Sequence, residues 1–271
     1  RGWLYVASHG MCTLAVILSS HSASATEDWY ISPFGSGASA ARRVSSVNIG
    51  GVGYVQLLPT DTGNPYAFTF IENGAYRILN AERSAPFGAN DLTATYSVIG
   101  TGSFLDQSAL RMFGGRINLY ADPIFDFATS TANYGSDNGK LVASFNIFDG
   151  YVVNNQGMVT VKATGIAGSF SQGYLYTANG TDMASLSNVQ LELNITNAGS
   201  MPDDLINSEI ICGLAAACSG GNLSQPYQGF TVRDSGSVSI SAVPEPETAA
   251  MLLAGLGFII GIAHRRQKFA R

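Results

Sequence analysis

A chain of 271 residues with 46% apolar residues can bury a sizeable core, so it is not a disordered polymer. Only 12% of its residues are charged, 31 are glycine, and the formal net charge is -5. Across residues 26–243 nine basic residues stand against 17 acidic ones, a net charge of -8 that argues against binding nucleic acid or an anionic membrane surface unaided.

The first element is MCTLAVIL (residues 11–18), a short apolar run. SSHSASA follows it, with Ala23 and Ala25 placed as the small residues of an A-x-A cleavage site. This pattern predicts a signal peptide over residues 1–25, cut after Ala25, and an exported protein. Cys12 lies inside the apolar run and would leave with the peptide.

The body, residues 26–241, reads as all-β. LTATYSV turns Leu92, Ala94, Tyr96 and Val98 to one face, LVASFNI does the same with Leu141, Ala143, Phe145 and Ile147, and VQLELNIT with Val189, Leu191, Leu193 and Ile195. Shorter candidates are YAFTFI (66–71), AYRIL (75–79), INLY (117–120), MVTVKA (158–163), GYLYTA (173–178) and SVSIS (237–241). Asn73-Gly74 between two of these reads as a hairpin turn, and Asn138-Gly139, Asp149-Gly150 and Asn179-Gly180 mark further reversals. Many short strands with closely spaced turns predict an antiparallel sandwich or jelly-roll-like body. One short helix is expected over residues 202–207, where Pro202 and two acids suit a first turn.

Candidate chemistry is sparse. The three histidines, His9, His21 and His264, all fall in segments expected to be removed or to lie next to the membrane, which excludes a His-based triad, a Cys–His pair and a His-ligated metal site in the body. Gly50, Gly51 and Gly53 complete neither a dinucleotide fingerprint nor a P-loop and read as a bend. No cofactor and no metal centre is expected; oxygen ligands for calcium are plentiful around Asp137 and Asn138, but the EF-hand pattern is not met. Asp122, Asp126, Asp137 and Asp149 are the carboxylates available to a glycosidase, and nothing in their spacing selects a pair. Cys212 and Cys218 close a short loop that suggests a disulfide in an oxidising compartment, worth about 2 kcal/mol. Tyr134, Tyr151 and Tyr227 sit among turn residues and are the rings expected to be exposed for stacking on sugar faces.

The chain ends differently from its body. Residues 248–263 carry no charge and predict a single transmembrane helix of about 24 Å, short of a hydrocarbon core of about 30 Å, which spans only with thinning or with its ends snorkelling, as Arg265, Arg266 and Lys268 do at the cytoplasmic end. Pro244 and Pro246 forbid helix upstream and leave extended backbone, the form a protease or transpeptidase binds.

Val243-Pro244-Glu245-Pro246, the apolar run 249–263 and Arg265-Arg266, in this order within residues 242–271, closely resemble the PEP-CTERM sorting signal. That resemblance implies recognition by an exosortase, a membrane-embedded cysteine transpeptidase-like enzyme, in Gram-negative bacteria that make exopolysaccharide. It further implies a transient hold in the inner membrane, removal of the tail and delivery to the cell surface or extracellular matrix.

The order FTFIENGAYRI, LTATYSVIGTGS, INLYADP, YGSDNGKLVASF and GYLYTANGTDMAS, over residues 68–187, also resembles the flocculation-associated subgroup of PEP-CTERM proteins. This implies a surface or matrix protein that helps cells aggregate with their exopolysaccharide. The expected function is therefore a non-catalytic role in aggregation, flocculation or biofilm formation. The alternative is a secreted polysaccharide-modifying enzyme of glycosidase type that uses a carboxylate pair.

Overall fold

A computed structural model describes residues 28–58, 63–79, 90–153, 157–219, 222–223 and 228–243. Within them the alternating segments are long antiparallel strands. Two short strands, β1 (Trp29–Ile31) and β2 (Arg42–Val44), precede β3 (Val47–Leu58), β4 (Ala67–Leu79), β5 (Asp91–Ser103), β6 (Arg111–Asp122), β7 (Lys140–Val153) and β8 (Met158–Gly165). Then come β9 (Leu175–Tyr176), β10 (Val189–Ser200), β11 (Cys218–Ser219), β12 (Asn222–Leu223) and β13 (Gln228–Ala242).

Strands β3 to β8 pair each with the next, β8 pairs with β10, β10 with β13, and β13 returns to β3, which closes an eight-stranded antiparallel barrel. The long strands follow chain order around the wall, the up-and-down arrangement that leaves no free edge. The expected sandwich or jelly-roll-like body is thus corrected to a barrel. Alternation fixes which face of each strand is buried; it does not say whether the sheet packs on a second sheet or curls onto itself. Here the Val238↔Val47 and Gly236↔Ile49 pairs make it close.

Period two delivers the core. Val47, Ile49, Phe70, Tyr76, Leu92, Tyr96, Ile117, Phe145, Val161, Leu193 and Ile240 belong to one buried cluster that fills the interior. The outer wall over β10 and β13 is polar, with Gln190, Glu192, Asn194 and Thr196 alternating with buried leucines, and serines at 235, 237, 239 and 241. Along β10 and the second half of β13, an apolar inside and a polar outside is the reverse of strands that face lipid.

Both ends of the described chain leave by the same mouth of the barrel. There the small β2-β1-β9 sheet forms a plug, and Trp29, 1% exposed, enters the core while its Nε1 donates to Ser45 O at 3.3 Å. A π-helix, Ile206–Leu214, lies on the outer wall: Ile206, Ile210 and Ile211 pack with Val52, Tyr54 and Ala75 of β3 and β4. It sits further along than the helix expected over 202–207. Asp203 ends the preceding turn, its Oδ1 accepting from Ile206 N at 2.8 Å.

Four local expectations are corrected. Asn73-Gly74 is no turn: β4 runs straight through it, and Gly74 faces inward where a Cβ would lie 2.4 Å from Val52 O and 2.6 Å from the Tyr96 hydroxyl. Asp149-Gly150 likewise lies within β7, at a bulge between Ile147 and Asp149. A second irregularity near the start of β7 puts Val142, 1% exposed, into the core and leaves Leu141 38% exposed, so the inward phase holds from Ala143 onward but not at Leu141. Gly50, Gly51 and Gly53 are strand residues rather than a bend. A Cβ at Gly51 would meet Tyr76, and one at Gly53 the Tyr96 hydroxyl at 2.2 Å.

Among the described residues no helix is long and apolar enough to cross a membrane. The expected signal peptide with Ala23 and Ala25 lies outside the described residues, as do the transmembrane run and basic tip with Arg265 and Arg266.

Candidate functional site

The space made by Gly51, Gly53 and Gly74 holds the most unusual chemistry of the molecule. Tyr76 and Tyr96 stack across the interior with ring centroids 4.4 Å apart. The Tyr96 hydroxyl reaches two carboxylates, Glu72 Oε1 at 2.7 Å and Asp234 Oδ2 at 2.8 Å. Both acids are inside the barrel, 2% and 4% exposed. Burial pushes the Glu72 carboxyl up to about 8, helped by the nearby Asp234 charge. Burial also lifts Asp234 to about 6, against the pull of the Tyr96 and Tyr76 hydroxyls. Tyr76 Oη stays outside hydrogen-bonding geometry, and both it and Asp234 Oδ1 lack a partner.

The two carboxyls titrate as a pair, burial favouring their protonated forms, with the Tyr96 hydroxyl within reach of both. A carboxyl of raised pKa beside an ionised one is the electronic half of a glycosidase site. The other half, room for substrate, is missing among the described residues. The cavity beside Glu72, Tyr76 and Tyr96 has a volume of about 10 Å³, enough for about one water molecule. A second, apolar cavity of about 30 Å³ lies between Trp29, Tyr76 and the surrounding Ile and Leu side chains.

The acids picked out from the sequence do not form this pair. Asp122 and Asp126 are buried near Asp91 under the β6–β7 connection, where Arg77 Nε donates to Asp91 Oδ1 at 2.7 Å and Asn138 donates to Asp126 Oδ2 at 2.7 Å. Asp137 accepts from Asn133 at 2.8 Å, and Asp149 is half-buried at the β7 bulge. No group of three or more His, Cys, Asp or Glu among the described residues is placed to hold a metal ion.

Sequence reading missed Glu72 and Asp234, yet both carry a signal. Each sits in phase with inward apolar neighbours, Glu72 between Phe70 and Gly74 and Asp234 between Val232 and Gly236, where a strand facing a core has no other charge.

The remaining candidates are scattered. Tyr134 is not an exposed ring: it is 8% exposed, in edge contact with Phe127 at 5.2 Å, and packs in the cluster beneath the helix. The connection folds back over the outer wall at that point, so a residue in turn-rich sequence ends up covered. Tyr151 is half-buried on the outer wall with Lys162 Nζ 5.8 Å from its ring centre, and Tyr227 lies outside the described residues. Cys212 and Cys218 are joined as a disulfide that ties the last turn of the helix to β11.

At the far end of the chain β13 stops at Ala242, and Val243 N donates to Asn188 O at 2.9 Å. Pro244, Glu245 and Pro246 follow at once, outside the described residues.

Fold and termini together define a filled, polar-walled β-barrel whose closing strand runs directly into a separate C-terminal signal. That signal is the PEP-CTERM protein-sorting motif, matched at residues 242–267. No curated protein matches the chain. The motif implies recognition by an exosortase, export and a cell-surface destination in Gram-negative bacteria.

Proposed function

We propose that this chain is a non-catalytic protein of the cell surface or exopolysaccharide matrix that promotes cell aggregation, flocculation or biofilm formation. The observation that carries the reading is the sorting motif, which starts where the barrel wall ends. The transient inner-membrane anchor belongs to the same proposal, with the apolar run 249–263 as the anchor and Arg265-Arg266 as its cytoplasmic stop. A filled barrel supports the non-catalytic side: its carboxylate pair is enclosed, and a sugar ring does not fit in about 10 Å³.

The test is to change Pro244, Glu245 and Pro246 together to Ala while keeping everything after them. Hydropathy and basic tip are untouched, so insertion continues. Release should fail, full-length protein should accumulate in the inner membrane, and aggregation of the producing cells should fall. Trimming and surface delivery as in wild type would show that Pro244-Glu245-Pro246 does not direct release and would overturn the sorting reading of this segment. Incubating wild-type protein with the producer's own exopolysaccharide then separates the two readings of the body: retention without new reducing ends fits a binding protein, and new reducing ends would establish the glycosidase.

A further inference from the structure

The outer wall over β5, β6 and β7 breaks the polar pattern seen elsewhere. Phe113, Phe148 and Ile99 stand out from it, 56%, 49% and 38% exposed. Two of the three owe their exposure to bulges: the β5–β6 ladder slips beside Ile99, leaving Phe113 over, and the β7–β8 ladder slips at Phe148. Bulges re-aim side chains, and here they aim large apolar ones outward.

These residues surround a gap. Ile99 pairs with Gly114 across the β5–β6 ladder. Counting between the Met112↔Gly150 and Arg116↔Asn146 pairs puts Gly114 opposite Phe148 on the other side. The row Ile99, Gly114, Phe148 therefore has an apolar wall on each side and a bare floor, and a Cβ built on Gly114 meets nothing within 4 Å. Phe113 stands next to the floor along β6.

Charge completes the feature. Along the outer face of β6, Arg111 and Arg116 bracket Phe113 and Gly114, and both are exposed. Arg111 donates to the Ser108 and Leu110 carbonyls. Neither arginine forms an ion pair among the described residues, where the ion pairs are Arg43–Asp28 and Arg77–Asp91, although the Asp106 carboxylate lies close enough to Arg111 to feel its charge. In a body of net charge -8, Arg116 and an Arg111 partly offset by Asp106 place two cations around an apolar slot, against the overall sign.

We infer that this slot binds an acidic polysaccharide, sugar rings lying on Phe113 and Phe148 over Gly114 and their carboxylates paired with Arg111 and Arg116. Pyranose rings have apolar faces and polar edges, which matches apolar walls with hydrogen-bonding ends. Guanidinium groups bind carboxylates in a two-pronged geometry. A second copy of the chain fits worse, since a two-fold contact centred on Phe113 would set Arg111 against the Arg116 of its mate. The inference rests on the proposed exopolysaccharide role and gives it a location.

The test uses the full chain in detergent, titrated calorimetrically with alginate, a polyuronate, and with neutral dextran. Wild type should bind alginate, with affinity falling as salt is added, and bind dextran far more weakly. Gly114→Trp fills the slot from a position with open space above it and should lower alginate affinity by about tenfold or more. Phe113→Ala should do the same, Arg116→Gln should also flatten the salt dependence, and Gln190→Trp on the opposite wall should change nothing. Should Gly114→Trp lose its native circular dichroism, Phe113→Ala and Arg116→Gln carry the test.

Equal binding of alginate by wild type and these variants overturns the slot and leaves the wider reading intact. Equal affinity for dextran overturns the acidic specificity. Binding of the producer's own exopolysaccharide but not of alginate likewise removes the slot as an acid-sugar site, whereas binding of none of the three polymers removes the exopolysaccharide role itself. Self-association abolished by Gly114→Trp, without polymer binding, would make this face a contact between copies.

Discussion

Glu72 and Asp234 make the barrel sensitive to alkali. Their folded-state values, about 8 and about 6, lie above the 4.5 and 3.8 of the free groups, so between those limits the folded protein holds protons that the unfolded chain has released. Stability from these sites is complete below about pH 4 and is lost as pH rises through 6 and then 8. Glu72→Gln keeps the shape and cannot ionise. Its melting temperature at pH 9 should exceed that of wild type by several degrees, about 2–4 °C for each kcal/mol of desolvation and repulsion removed, with little difference at pH 4. A pH slope unchanged by the substitution would place its source elsewhere. Gly53 makes a second residue-scale case, since Gly53→Ala puts a methyl 2.2 Å from the Tyr96 hydroxyl and 3.1 Å from Glu72 Oε1. Chemical denaturation should show a loss of about 1–3 kcal/mol. Gly199→Ala, in open space, should stay within about 0.5 kcal/mol of wild type.

At the scale of elements, the helix Ile206–Leu214 is held by its apolar side against Val52 and Ala75 and by the Cys212–Cys218 bond at its end. Replacing both cysteines by Ser should lower stability by about 2 kcal/mol and raise hydrogen exchange across residues 206–214 while the barrel amides stay protected. Mass spectrometry of the exported protein should find the pair two protons lighter than its reduced form; alkylatable thiols would count against the bond. The elements also show what sequence can reveal. VQLELNIT and LTATYSV were legible down to their inward residues because unbroken alternation leaves one choice of face. LVASFNI was legible except at Leu141, since a bulge shifts phase without any local mark in composition. Asn73-Gly74 misled because Gly serves two purposes, reversal of the chain and close approach, and only the partners Val52 and Tyr96 show which one applies. Tyr134 misled for a related reason: what covers a loop is decided by residues far away in the chain. The slot at Gly114 was invisible, being made from three strands and two register slips.

For the whole molecule, everything depends on β13. Among the described residues it is the strand that joins β10 to β3, by ladders that run from Val189↔Ala242 to Ser200↔Thr231 and from Val238↔Val47 to Gln228↔Leu57. A chain ending after Val243 should keep a sheet-dominated far-UV circular dichroism spectrum and remain dispersed in light scattering. One lacking residues 228–271 leaves one edge of β3 and one edge of β10 unpaired and should aggregate. Normal dispersion of the shorter chain would mean that closure is not what protects the sheet.

The junction at Val243 also sets an order of events in time. Val47 must wait for Val238, so the slowest contact of the fold forms only when nearly all of the body has been translocated. The sorting motif is next in line. Cleavage that comes before the two ends of the sheet meet would shed a ribbon with two sticky margins into a crowded periplasm; cleavage that comes after sheds a finished cylinder. Under the proposed transient anchoring, residence at the membrane acts as a clock, and its useful length is the time the last strand needs to find the first.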